Sequence, residues 1–268
     1  PSYEIKHQKT ATITPSPMGF ILKDEDLTKN FEITDVQTTS HDATWQQVWG
    51  EKKDIRNHYN ELVVHLKSKN KNKRKLQIQF RAFDDGIAFR YIFPEQGVKD
   101  SIFIMDEVTA FNLKEDGKAW WIPAYQENRY EYLYESSPVS KLDVVHTPMT
   151  VENKNVVISF HEANLVDFAS MTLRHTTGSN LKAELVPWAD GVKVRTTKTF
   201  TTPWRTIQKR EKPGDLVESY MILNLNEPNK LKDLSYVKPF KYLGIWWGMH
   251  IGKYSFWEGD IQGATTKN

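Results

Sequence analysis

The sequence predicts an all-β protein built as a large antiparallel β-sandwich, and three observations predict it. Apolar residues recur with a period of two from Tyr3 to about Leu234. The alternating runs are short and are separated by clusters of Asn, Asp, Gly, Pro and Lys, the residues of tight turns. No ten-residue helical pattern lies between them, so the sheets are expected to pack on one another rather than on crossover helices.

Taken in order, the first strands are expected at residues 3–5, 12–14, 20–22, 31–36, 61–66, 76–82, 87–93 and 101–104. Asp84-Asp85-Gly86 between two of these runs is a strong hairpin signal, because Asp and Gly tolerate the backbone angles of a tight β-turn. Lys67 to Lys75 reads KSKNKNKRK, a solvated loop joining two strands. Further strands are expected at 142–145, 156–160, 171–173, 181–185, 192–197 and 219–225, with helical turns at 24–28 and 229–234. The character changes near Pro228 to Pro239, which suggests a domain boundary: residues 1–235 form the sandwich and residues 236–268 a linker and the start of something else. There the run YLGIWW at 242–247 is compact and apolar, as a fully buried strand would be.

Composition narrows the function. The 268 residues are 39% hydrophobic and 12% aromatic, a folded chain with a sizeable core. With 36 Lys+Arg against 34 Asp+Glu the formal net charge is +2, without the basic excess that a nucleic-acid footprint needs. There is no Cys, hence no disulfide, thiolate metal site or Cys nucleophile. No run approaches the roughly eighteen apolar residues of a membrane span. The chain starts at Pro1 and stops on a polar run at Asn268, and is expected to be a piece of something longer.

One strand carries the best candidate for chemistry. In VVISFHEANLVDF, from Val156 to Phe168, Glu162 ends the more apolar face, shared with Val156, Ile158 and Phe160. A carboxylate there is costly unless something positive meets it: a cation, an Arg or Lys, or backbone N–H groups, unless it is simply solvated at the strand end. Two aromatic segments stand out besides. Residues 118–135 alternate flat rings with hydrogen-bonding groups, Asn128 among them, as a saccharide cleft requires; the second reading is that Trp120, Trp121 and Tyr125 pack the sandwich edge. FTTPWRTI, from Phe200 to Ile207, reads as an aromatic-plus-Arg turn or a domain-interface peg. The eight His form no zinc motif. A sugar epimerase on a related sandwich would need a paired His and Glu, for which only His161 stands out.

The ordered set PSPMGF, FDDGIAFRY, the WIPAYQENRYEYLY segment, SFHEANLVDFASMTL, FTTPWRTI and YLGIWWGMHIGKYSFWEGD with GATTKN resembles glycoside hydrolase family 97, and within it the periplasmic α-glucosidases of bacterial starch-utilisation systems. The resemblance implies an antiparallel β-super-sandwich followed by a catalytic (β/α)8 barrel, of which this chain would hold the first strand. It implies that Glu162 is a Ca2+ ligand reaching into the barrel mouth. Trp247, with Trp246, His250 and Asn128, would lie at the substrate cleft, and the catalytic acid and base would follow Asn268, so that no catalytic residue lies in this chain. The implied function is hydrolysis of terminal α-glucosidic bonds of malto-oligosaccharides, with the two carboxylates roughly 6.5–9.5 Å apart for inversion, in an exported, periplasmic bacterial enzyme. The alternatives are a retaining α-galactosidase of the same family and a non-catalytic carbohydrate-binding module. The expected partners are an oligosaccharide and the rest of the same protein.

Overall fold

The computed structural model describes residues 1–7, 10–96, 101–127, 130–196, 199–241 and 246–251. Among them the chain is mostly β, its ladders antiparallel, with few short helices. The largest sheet has ten strands and runs, edge to edge, from Glu135–Pro138 through Lys118–Trp121, Met149–Asn153, Val156–Ala163, Trp204–Arg210, Gly86–Phe93, Lys75–Phe83 and Asp54–Ser68 to Phe31–Gln46, with Phe200–Thr201 pairing beside Gly86–Phe93. Two four-stranded sheets lie against it. One orders Ala110–Asn112, Asn180–Leu185, Met171–His175 and Val144–His146; the other orders Val194–Thr196, Ile102–Glu107, Phe20–Leu22 and Asp26–Leu27. Ser2–His7 and Thr10–Pro17 form a separate hairpin.

The period of two explains the core. On Gly86–Phe93 the alternate residues Phe89, Tyr91 and Phe93 are fully buried on one face. They meet Phe20 of a small sheet, whose ring lies 4.6 Å from Tyr91 and 5.4 Å from Phe93. Phe111 and Phe160 continue the layer at 5.2 Å. Gly19 is required where this layer closes. Its φ is +128°, and a Cβ there would stand 2.3 Å from the Leu27 carbonyl oxygen, while its N–H donates to the Tyr91 hydroxyl at 3.2 Å. The opposite face of the large sheet carries a smaller cluster, Ala88, Ala163, Trp204, Met221 and Leu225.

The Asp84-Asp85-Gly86 hairpin forms as expected, with Phe83 opposite Gly86. The basic loop joins Asp54–Ser68 to Lys75–Phe83. Four expectations are corrected, the first being the helical turn at 229–234, where the chain has no regular structure. Residues 219–225 are not a strand: Met221–Asn224 is a helical turn, which lays Met221 and Leu225 four residues apart onto the same apolar patch. The segment from Phe200 is not only a turn, since Trp204–Arg210 is an interior strand of the large sheet. Asp26–Leu27 is a short strand and not a helical turn. The run at 242–247 reaches the described residues only at its end, where Trp246–His250 is helical.

Candidate functional site

Strand Val156–Ala163 pairs with Trp204–Arg210 so that Glu162 lies opposite Arg205. Both side chains turn to the core face, as Phe160 and Ile158 do. Arg205 is 0% exposed and Glu162 8% exposed, so neither charge has water enough to stand alone. The Arg205 Nη1 donates to Glu162 Oε2 at 2.7 Å, and its Nε and Nη2 donate to the two oxygens of Glu107 at 2.9 and 2.6 Å. Glu107 is fully buried as well. The second oxygen of Glu162 accepts the Met171 N–H at 3.0 Å.

These four groups come from three sheets. Arg205 and Glu162 belong to the ten-stranded sheet, Glu107 to one small sheet and Met171 to the other. The ion-pair triad therefore ties two sheets at one point and the Met171 N–H adds the third, and a planar guanidinium is what can fork two carboxylates at once. Burial lowers the guanidinium's hold on its proton, but the two carboxylates, Glu107 foremost, more than offset that and keep it charged. Burial pushes the Glu162 carboxyl above the usual carboxylate range against the opposing pull of Arg205.

The approach to Glu162 is aromatic. Tyr130 stacks on His146 with ring centroids 3.8 Å apart, and burial first, then the Glu162 charge, push its hydroxyl above the usual phenol value. Tyr125 places its hydroxyl 3.5 Å from Thr172, the residue after Met171. Phe168 lies 5.9 Å from the Arg205 guanidinium. The elbow after Glu162 holds Asn164 and Asp167 at φ +56° and +49°, left-handed conformations that are uncommon for residues other than Gly and cluster at functional sites. Its tip exposes Leu165 and Val166.

Of the partners that chemistry allowed for Glu162, the structure supplies two, an Arg and a backbone N–H. Each of its oxygens retains a further lone pair. Among the described residues no group of three or more His, Asp or Glu gathers to hold a metal ion. A calcium ion, which takes roughly six to eight oxygens, can thus draw one carboxylate ligand from this site and needs the others from elsewhere. The donor chemistry fits a single-ligand contribution.

Asn128 lies outside the described residues, as do the side chains of Trp246 and Trp247; His250, half-buried, closes the helical turn. Trp120 does not offer an open ring, because the Lys118 ammonium sits 3.9 Å over it and Glu152 takes its indole N–H at 2.7 Å. Trp121 packs against the main core. His161 points to the opposite face from Glu162, beside Thr206, so the two do not form a His–Glu pair. Sequence reasoning missed Arg205 and Glu107. The signal for the first was an Arg inside an apolar-flanked run, PWRTI; nothing local marks the second.

A family model described as Glycosyl-hydrolase 97 N-terminal matches residues 1–228. A retaining α-galactosidase of Bacteroides thetaiotaomicron is 23% identical over 279 residues, which cover 92% of this chain and 41% of that protein. A glycoside hydrolase family 97 enzyme from Pseudoalteromonas sp. strain K8, solved in complex with acarbose, superposes with TM-score 0.89 at 46% identity over 100% of this chain and 41% of that one. A variant of that enzyme solved with panose matches at 45% identity and TM-score 0.89, with 100% and 41% of the two chains covered. The chain thus spans 41% of the length of these relatives.

Proposed function

This chain belongs to glycoside hydrolase family 97, as an N-terminal portion of such an enzyme, and on that premise we propose that the full protein is a calcium-dependent α-glucosidase acting on malto-oligosaccharides with inversion. The observation that supports this most is the 46% identity, over the whole of this chain, to an enzyme solved with acarbose. The 23% identical α-galactosidase favours a second reading, retaining α-galactoside hydrolysis, from a more distant relative. In either reading the catalytic acid and its partner carboxylate come from a (β/α)8 barrel supplied by the rest of the protein. The proposal includes export to a bacterial periplasm.

In this reading the sandwich contributes position, not proton transfer. Arg205 and the Met171 N–H fix the Glu162 carboxylate at the end of its strand, with lone pairs left over for a hard cation. Calcium bound there would orient substrate hydroxyls and offset carboxylate charge. Tyr125 and Tyr130 line the approach with rings suited to sugar faces. Trp246, Trp247, His250 and Asn128 are proposed to meet substrate from the segments that flank the barrel.

The test uses the full-length enzyme with maltoheptaose and with a p-nitrophenyl α-galactoside, before and after chelation, following the anomer released by NMR. β-Glucose released only in the presence of calcium is the expected result. Turnover of the galactoside with α-galactose released would establish the second reading, and chelator-resistant activity would remove the metal.

A further inference from the structure

Beside the elbow that follows Glu162 lies a concavity of about 540 Å³, which the proposed chemistry does not use. One wall is the elbow itself, Asp167, Phe168 and Ser170; the other is formed by Trp188, Lys193 and Arg195. The walls are joined where the Val186 N–H donates to the Ser170 carbonyl at 3.2 Å. Its size falls in the roughly 300–1,000 Å³ range of small-molecule sites.

Trp188 is the unusual residue. It is 62% exposed, more than any other Trp whose side chain is described. It is nevertheless held in place. The Trp188 N–H donates to the Val192 carbonyl at 2.8 Å and the Gly191 N–H to the Trp188 carbonyl at 2.9 Å, a tight turn that Gly191 permits with φ +83°. The Arg195 guanidinium lies 5.6 Å from the ring centre. The two cations of the wall already have partners: Arg195 pairs with Asp190, and Lys193 bonds the Leu185 carbonyl at 2.7 Å with Glu184 at 3.5 Å. An anion would have to compete with those carboxylates. A neutral polyol with an apolar C–H face needs only what is present, a fixed indole flanked by donors and acceptors.

The geometry points to a subsite for an α-linked glucan chain, with Trp188 as its platform and Asp167, Ser170 and Lys193 bonding the hydroxyl rim. This rests on the α-glucosidase reading and extends it to the binding of long substrates. The pocket shares its floor with the site: Ser170 precedes Met171, whose N–H holds Glu162, and Phe168 faces Arg205. A chain bound on Trp188 therefore lies along the loop that positions Glu162.

The experiment compares the full-length enzyme with W188A and W188F on p-nitrophenyl α-glucoside, which fills one sugar position, and on maltoheptaose. W188A should raise KM for maltoheptaose about tenfold while KM for the short substrate and both kcat values stay unchanged, and W188F should recover most of the loss because it keeps a ring. Unchanged KM for both substrates, or an equal rise for both, would overturn the subsite. Should the unmodified enzyme hydrolyse neither substrate, the α-glucosidase reading falls separately. Calorimetry with maltoheptaose then decides the subsite: binding weakened by W188A upholds it, and binding that is absent or indifferent to W188A rejects it.

Discussion

Arg205 donates one hydrogen bond to Glu162 at 2.7 Å and two to Glu107 at 2.9 and 2.6 Å, from a position wholly out of solvent. One guanidinium thus neutralises two carboxylates that arrive from different sheets, separated from it by 43 and 98 positions in sequence.

Removing the guanidinium leaves two buried carboxylates facing each other. R205M should destabilise the protein by about 3–5 kcal/mol, because an uncompensated buried charge costs more than the pair itself contributes. R205K should recover little, since an ammonium lacks the planar fork. Urea denaturation checks this, and a loss below about 1 kcal/mol for R205M would show that the three sheets do not depend on the triad.

Glu162→Gln has a different signature. The single amide oxygen can accept from only one of the Met171 N–H and the Arg205 guanidinium, but Arg205 keeps Glu107, so the fold should lose about 1.5–3 kcal/mol, the scale of one charged hydrogen bond. If Glu162 is a calcium ligand in the full-length enzyme, calcium affinity should fall at least about tenfold, with turnover falling alongside. Titration calorimetry with calcium measures the first; wild-type affinity in E162Q would leave Glu162 a structural residue only.

On the other face of the same strand, His161 stands opposite Thr206, and both the His161 Nδ1 and the Thr206 Oγ1 are buried without a hydrogen-bond partner. Burial holds the His161 imidazole below its ordinary value of 6.5. The unfolded chain therefore takes up this proton more readily than the native one. The contribution to stability is complete above 6.5 and is lost as pH falls through the native value. Thermal unfolding at about pH 7.5 and about pH 5 should show a smaller drop for H161Q than for the unmodified protein, and equal drops would remove His161 from the acid response.

The elements most legible in the sequence are those whose two faces differ. Lys75–Phe83 and Gly86–Phe93 bury one alternate set of residues in the main core, and the Asp-Gly turn between them fixes their register locally. Trp204–Arg210 lies inside the large sheet with its first five residues buried, so its sequence lacks polar alternation and resembles a turn. Met221–Asn224 offered a short apolar run with no period long enough to separate strand from helix.

By itself the sequence determined the antiparallel β class, the hairpin at Asp84-Asp85-Gly86 and the need of Glu162 for a positive or N–H partner, because alternation, turn chemistry and the cost of a buried charge all act over a few residues. Only the tertiary structure decided that the partner is Arg205, that Glu107 shares it, and that Trp188 stands exposed beside the same elbow. Those relationships come from sheet order and from packing between sheets, which join residues far apart in the chain and leave no periodic mark in it.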